Sequence, residues 1–233
     1  MKTIQKIISD SPYYEILKIN DSSHHFPTHI HKRTCVGRVD AGAKVLVLHG
    51  EKQLLPAGAF FHIPPFTAHD CYTENGMQVS YTVFCFNDLA GITLERLKSD
   101  ILTANIPITN IEQIYNYAHK VHKVVTVESA CCNFIIEYID KNFAHELSID
   151  KIAQEVGLSK YHLIRIFKKN VGLSLHQYLI QTRIKKAAEL MKNQNDLVTL
   201  ALDTGFYDQS HFIRNFKKHI GTTPGNYSRI VKE

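Results

Sequence analysis

The chain has 233 residues, of which 44% are hydrophobic and 21% charged, and its formal net charge is +5. This length exceeds that of a typical domain of roughly 100–150 residues, so we expect two domains. The composition excludes a disordered, collagenous or disulfide-rich chain. No apolar run suits a signal peptide or a membrane span. We therefore expect a cytoplasmic protein with no membrane partner, whose five cysteines are free thiols.

The N-terminal part has the pattern of antiparallel strands. Residues 14–86 alternate apolar and polar side chains between closely spaced turn signals. Segments such as 44–48, 59–63 and 78–86 have the length of short strands. Several short strands separated by turns predict a β-sandwich or β-barrel over residues 1–90.

From about residue 91 the apolar spacing becomes helical and stays so to the end of the chain. The fold class is therefore α+β, with an all-β domain followed by an all-α domain. We place the domain boundary within 119–127. The helices of segment 91–125 either cap the β-domain or pair two subunits, and the sequence leaves both roles open.

The C-terminal part is basic and contains an internal repeat. Residues 147–233 hold 14 Lys and Arg against 7 Asp and Glu, whereas the rest of the chain holds 13 against 15. Residues 165–178 and 214–227 share six identities at an offset of 49, and the glycines upstream, Gly157 and Gly205, match at an offset of 48. A localised basic excess is typical of nucleic-acid binding.

Each repeat has the pattern of a short helix, a turn that contains Gly, and a second helix. Ser159 and Asp208 stand where their side-chain oxygens can cap the second helix of each repeat. We therefore predict helix-turn-helix motifs at 148–170 and 197–219, in a domain of residues 126–233. A connecting helix at 174–194 would span about 30 Å, close to the roughly 34 Å between successive major-groove faces.

The second helix of each motif carries an apolar pair for the core and a polar stripe away from it. The stripes are Tyr161, Arg165 and Lys168 in the first motif, and Ser210, Arg214 and Lys217 in the second. Arg165, Arg214 and Gln209 are candidates to read bases, because Arg pairs with guanine and Gln with adenine. Ile164 suits either a thymine methyl group or the core. The predicted phosphate contacts are Lys160, Lys168, Lys169, Lys217 and Lys218.

These residues resemble the DNA-binding domain of the AraC/XylS family of bacterial transcription regulators, on the pattern Gly205-Phe206 and the closing Gly221, Thr223, Pro224 and Tyr227. The resemblance covers residues 127–233. It implies a regulator that binds double-stranded DNA as a homodimer and contacts RNA polymerase. An activator is expected, and the sequence leaves activation and repression both open. The side chains that it implies at the bases are Tyr161, Ile164, Arg165, Gln209, Ser210 and Arg214.

The N-terminal part is similar to the two cupin motifs, over residues 29–42 and 58–69. Cys35 replaces the usual Glu and Phe66 a usual Gly. The resemblance implies a jelly-roll barrel in which His29, His31 and His69 converge beside Cys35. Three imidazoles and a thiolate suit Zn²⁺ or another divalent metal, whereas oxygen-activating iron usually has a carboxylate ligand.

The sequence leaves the content of this pocket open between a small organic effector, a metal, and no ligand at all. The leading hypothesis is a regulator whose β-domain senses a small molecule or metal and modulates DNA binding. The alternatives are a metal-dependent cupin enzyme with an accessory helical domain, and a regulator whose β-domain only dimerises or binds another protein.

Overall fold

A computed structural model of the chain describes residues 3–5, 14–86, 92–103, 111–121, 130–191, 193 and 196–230. The chain separates into two compact units, Met1–His25 with Ile30–Thr126, and Phe26–His29 with Val127–Glu233. By its hydrogen bonds, Phe26–His29 is a strand in a sheet of the first unit, and it is described there. The boundary interval predicted at 119–127 lies mostly outside the described residues.

The described part of the first unit contains nine strands. They are β1 (Thr3–Gln5), β2 (Tyr14–Ser22), β3 (Phe26–His29), β4 (Thr34–Ala41), β5 (Ala43–Leu48), β6 (Glu51–Pro56), β7 (Phe60–Ile63), β8 (His69–Tyr72) and β9 (Val79–Phe86). One sheet has the order β1-β2-β9-β4-β7 and the other β3-β8-β5-β6. The described strands thus form two hydrogen-bonded sheets, as in a sandwich of cupin type, and not one closed barrel.

Strand β9 lies between β2 and β4, and all of its residues from Tyr81 to Phe86 are buried. Successive side chains of a strand point to opposite faces, so this strand must be covered on both faces. On one face, Phe84 and Phe86 join an apolar cluster with helical residues. On the other, the Nζ atom of Lys44 in β5 lies 3.7 Å from the ring centroid of Tyr81. The five-stranded sheet is therefore the middle layer of this unit.

Two helices, α1 (Leu94–Thr103) and α2 (Ile111–Val121), form the outer layer. Leu97, Ile114 and Ala118 are buried in the same cluster as the β9 phenylalanines. The described parts of segment 91–125 therefore cap the sheet, which is one of the two roles that the sequence allows. Residues 91, 104–110 and 122–125 of that segment lie outside the described residues.

The described part of the second unit is helical. Its helices are α3 (Ala130–Asn142), α4 (Ile149–Glu155), α5 (Lys160–Val171), α6 (Leu175–Leu190), α7 (Leu197–Asp203), α8 (Gln209–Ile220) and α9 (Pro224–Ile230). Helices α4–α5 and α7–α8 are the two predicted helix-turn-helix motifs. None of the helices described combines the length and the apolar character that a membrane crossing requires.

Both predicted N-caps are confirmed. The Ser159 side chain accepts the N–H of His162 at the start of α5. At the start of α8 the Asp208 carboxylate accepts the N–H of His211. Each cap satisfies a backbone donor that has no partner inside its own helix, which positions the first turn of both second helices in the same way.

The turns of the two motifs are closed by equivalent hydrogen bonds. Gly157 and Gly205 have φ values of 66° and 80°, a region that glycine enters at little cost. The following residues, Leu158 and Phe206, each donate their N–H to a carbonyl five positions earlier at 2.9 Å. The second turn holds one more residue before its cap, which explains why the repeat offset changes from 48 to 49.

Helix α6 joins the motifs and is shorter than the sequence predicts. A capping box of Ser174 and Gln177 begins it, and it ends at Leu190 instead of 194. Its 16 residues span about 24 Å, not the predicted 30 Å. The next helix, α7, is capped by Asp196, which accepts the N–H groups of Val198 and Thr199.

Candidate nucleic-acid interface and effector site

Helix α5 presents one buried and one exposed face. Leu163 and Phe167 are fully buried, as predicted, and this fixes the rotation of the helix about its axis. Tyr161, with 84% of its surface exposed, then lies on the opposite side together with exposed Arg165. An Arg165 Nη2 atom lies 3.4 Å from Nδ1 of His162. The guanidinium is therefore at the surface, beside a second polar side chain.

The remaining predicted contacts of the first motif differ in exposure. Lys168 and Lys169 are exposed in the last turn of α5. Ile164 is half-buried, which is compatible with both of its predicted roles, a contact with a thymine methyl group and packing in the core. Lys160 is engaged within the protein, because its Nζ atom lies 3.0 Å from the carboxylate of Asp150. A phosphate at Lys160 would have to compete with this ion pair.

Helix α8 repeats the arrangement. Phe212 and Phe216 are fully buried, as predicted, and their rings meet edge to face at a centroid distance of 5.5 Å. This anchors the helix, because such pairs add to the stabilisation that burial alone provides. The predicted contact residues of this helix are all exposed: Gln209, Ser210, Arg214, Lys217 and Lys218.

Tyr207 is an exposed aromatic residue that the predicted contacts do not include. Its surface is 98% exposed, directly before the Asp208 cap of α8. The sequence indicates this residue by its spacing, because the second turn has one residue more than the first, and that additional residue has no equivalent in the first motif. Tyr207 is thus an exposed ring directly beside the basic helix α8.

Arg183 of α6 is a second residue absent from the predictions. Its Nε atom donates to the carbonyl of Phe143 at 2.7 Å, and Nη2 donates to that of His145 at 2.9 Å. The guanidinium carbon also lies 5.9 Å from the ring centroid of Phe206. Partial burial lowers the pKa of this guanidinium. A single side chain thus contacts the segment before α4 and the turn before α8.

In the first unit three predicted ligands lie together. One ring nitrogen of each of His29, His31 and His69 lies within 4.8 Å of the other two. The rings of His31 and His69 have centroids 4.9 Å apart. His69 is buried, and the other two rings are half-buried. The histidine cluster, as we call these three residues, therefore has the donor atoms of a metal site.

Cys35, the fourth predicted ligand, is not in the histidine cluster, and that prediction is wrong. It lies in β4 directly opposite Cys85 of β9, and the two sulfur atoms are 2.7 Å apart. Burial, and then the neighbouring Cys85, raise the pKa of the Cys35 thiol well above its ordinary value. The strand register directs this side chain into the core, so it stays a protonated thiol there.

Two stretches of the chain match known protein families. Residues 12–122 match an AraC-like ligand binding domain, and residues 152–230 match a helix-turn-helix domain. AarP, an HTH-type transcriptional activator of Providencia stuartii, is 36% identical over 101 residues, which cover 43% of this chain and 75% of AarP. YbfI, an uncharacterized HTH-type transcriptional regulator of Bacillus subtilis, is 20% identical over 224 residues, with 80% of this chain and 81% of YbfI covered.

A solved structure has the same fold. The crystal structure of wild-type ToxT from Vibrio cholerae strain SCE256, with an unsaturated fatty acid bound, superposes with a TM-score of 0.65. The match covers 94% of this chain and 96% of ToxT at 13% identity. At that identity the likeness concerns the fold alone.

Proposed function

Since the chain belongs to the AraC family of transcription regulators, we propose that it reads a specific duplex DNA through α5 and α8 and that its first unit controls this binding in response to an effector. AarP and YbfI, the relatives described above, are both regulators of transcription. The family therefore favours a regulator over the alternative of a metal-dependent enzyme.

The observation that carries the proposal is the duplication of one exposed stripe. Arg165 and Arg214 occupy equivalent positions of α5 and α8, each on the face opposite a buried phenylalanine. A helix fits the major groove, which is about 12 Å wide, and a guanidinium fork there can bond O6 and N7 of guanine. Two such helices in one unit would read two grooves of the same duplex.

The contact residues divide by chemistry. Arg165, Arg214 and Gln209 are proposed to bond bases, with Tyr161, Ile164 and Ser210 beside them. The lysines would bind phosphates, which position the protein without specifying sequence. Those proposed are Lys168, Lys169, Lys217 and Lys218, with Lys160 a weaker candidate because Asp150 already pairs with it. Helix α6 joins the two reading helices, and its length of about 24 Å is shorter than the roughly 34 Å between successive major-groove faces.

The effector is proposed to bind in the first unit. ToxT, which shares the fold, was solved with an unsaturated fatty acid bound. An organic molecule is therefore one class of effector for this chain, and a metal ion held by the histidine cluster is the other.

We further propose that the protein is a cytoplasmic homodimer that contacts RNA polymerase as an activator. AarP, which matches the second unit, is itself an activator. Light scattering of the protein with and without duplex DNA measures the oligomeric state, and a monomer under both conditions contradicts the dimer.

The test is a binding experiment with the full chain. A duplex selected from a random pool is compared with scrambled DNA by fluorescence anisotropy. We expect Arg165→Ala and Arg214→Ala each to cost about 1–3 kcal/mol of discrimination, and Lys217→Ala to weaken both duplexes alike and reduce the salt dependence. Lys186→Ala, a change at a partly exposed position of α6 that removes the pair with Glu189, is the control and should change neither.

Two results would contradict these roles. Equal losses on selected and scrambled DNA would assign both arginines to phosphates. If no selected duplex binds better than scrambled DNA, sequence-specific recognition itself is wrong.

A further inference from the structure

The histidine cluster brings three possible metal ligands within 4.8 Å of one another. We propose that His29, His31 and His69 bind one divalent transition-metal ion, with Zn²⁺ the reference ion, and that this ion is the effector of the first unit. The effector role rests on the proposed function, whereas the metal site does not.

The first observation concerns the ring nitrogens. Nδ1 of His69 lies 2.9 Å from the carbonyl of Thr67, and Nδ1 of His29 lies 2.7 Å from that of Pro27. A carbonyl only accepts, so in both rings Nδ1 carries the proton and donates it. In a neutral imidazole the lone pair is then on Nε2, the atom that binds a metal. Carbonyl partners of this kind commonly orient histidine ligands.

The second observation is that the backbone holds the three residues in place. His29 ends β3 and His69 begins β8, and these strands are neighbours in the four-stranded sheet. His31 lies on the loop after β3, and its carbonyl accepts the N–H of Phe66 at 2.7 Å. The end of β3, the loop after it and the start of β8 are thus held together by the backbone. Little conformational entropy therefore has to be lost when an ion binds.

The third observation concerns distance. Nitrogen ligands around tetrahedral Zn²⁺, at about 2.0–2.1 Å from the ion, lie about 3.4 Å from each other. The ligand atoms of the histidine cluster lie within 4.8 Å of one another. The rings therefore need to approach by roughly 1 Å, which small side-chain rotations provide.

The chemical type of the ligand atoms determines which metal ions can bind. Among the described residues the cluster contains three imidazoles and neither a thiolate nor a carboxylate, since Cys35 pairs with Cys85 in the core. Imidazole suits Zn²⁺, Cu²⁺ and Ni²⁺, whereas Mg²⁺ and Ca²⁺ require oxygen ligands. Three histidines leave a fourth position of a tetrahedral ion for water or a small ligand.

The experiment measures metal binding by the full chain after treatment with a chelator. Zn²⁺ is titrated in competition with a fluorescent indicator, and Co²⁺ is added to record the absorption of a tetrahedral site. We expect one ion per chain, and affinity at least about 100-fold lower in His31→Gln and His69→Gln. Because His69 is buried, the half-buried His31 provides the variant that is less prone to unfold, and circular dichroism checks both.

Two control variants test whether Zn²⁺ binding depends on the histidine cluster and not on other side chains that could bind a metal. His49→Asn alters an exposed histidine of the same unit, and Asn tolerates the positive φ of 53° at that turn. Cys35→Ser tests the thiol that the structure removes from the site. Both variants should bind Zn²⁺ as the parent does. Binding that is absent from the parent, or equal in the parent and in His31→Gln, overturns the metal site.

The effector role is tested on the selected duplex. Zn²⁺ should change the affinity of the parent for this DNA and leave that of His31→Gln unchanged. If Zn²⁺ binds as expected but DNA affinity does not respond, the effector role is overturned and the metal site stands. If neither the metal-free nor the zinc-loaded chain prefers any duplex, the proposed function fails while the titration still decides the site.

Discussion

A Cβ atom on Gly205 would lie 2.9 Å from Cζ of Arg183, so the turn of the second helix-turn-helix motif packs directly on a side chain of the connecting helix. The same Cβ would also lie 2.7 Å from the carbonyl oxygen of Ala144, before the first motif. The equivalent glycine of the first motif, Gly157, has open space around it. The two halves of the repeat therefore share a backbone conformation but not its surroundings.

This difference predicts unequal costs for the same substitution. Gly157→Ala should lower the free energy of unfolding by about 1–2 kcal/mol, the cost of a side chain in the left-handed region. Gly205→Ala should cost about 2–4 kcal/mol, because the methyl group also displaces Arg183 and the backbone. Urea unfolding of the two variants measures both values. Equal losses would mean that the contact with Arg183 relaxes freely.

Removal of the Arg183 guanidinium should destabilise the second unit. Arg183→Met leaves the carbonyls of Phe143 and His145 without their charged donor, at an expected cost of about 1–3 kcal/mol. Arg183→Lys should recover only part of this, because an ammonium group lacks the planar fork. The matched change Lys186→Met, at an exposed ion pair, should stay within about 0.5 kcal/mol. Thermal unfolding followed by circular dichroism compares the three.

The cap of α7 predicts a specific dependence on pH. The Asp196 carboxylate accepts bonds from the Thr199 hydroxyl and from the N–H groups of Val198 and Thr199, and these lower its pKa. The unfolded chain has the ordinary value of about 3.9. The contribution of the charged cap is therefore fully present above that pH and is lost as pH falls through the lower folded pKa.

Asp196→Asn tests this dependence, because Asn caps helices well but does not titrate in this range. Between pH 7 and pH 3 the parent should lose more of its free energy of unfolding than the variant does. Urea unfolding at several pH values measures the difference. Parallel curves would show that the charge of Asp196 contributes nothing to the cap.

The thiols should differ in reactivity. Burial raises the pKa of Cys35 well above the ordinary value, and burial also raises that of half-buried Cys131. With little thiolate at neutral pH both react slowly, but Cys131 is the more accessible. Mass spectrometry after iodoacetamide treatment of the folded chain should find Cys131 modified first. Modification of Cys35 at the same rate in folded and urea-unfolded protein would contradict its burial.

Much of the candidate DNA interface could be predicted, because it depends on neighbours along the chain. The apolar pairs at i and i+4, such as Phe212 and Phe216, are a helical pattern that any amphipathic helix must show. The caps Ser159 and Asp208 act within three residues of themselves. Because the apolar pairs and the caps recur at matching positions, the sequence alone predicts both motifs.

Contacts between residues far apart in the chain are harder to predict. Cys35 and Cys85 are 50 positions apart, and only the register of β4 with β9 shows that one faces the other. The cupin resemblance places Cys35 at the position of a ligand, but the pleat of the strand sends its side chain into the core. Arg183 and Phe143 are 40 positions apart, so no local pattern indicates their bond.

The sequence by itself determined the α+β class, the duplicated motif and the polar stripes of α5 and α8, since periodicity and capping are local properties of a chain. Only the tertiary structure decided that Arg183 contacts both the segment before the first motif and the turn of the second, that α6 ends at Leu190, and that three histidines gather without Cys35. Those features depend on which strands pair and which surfaces pack, and these are set by the burial of the whole core.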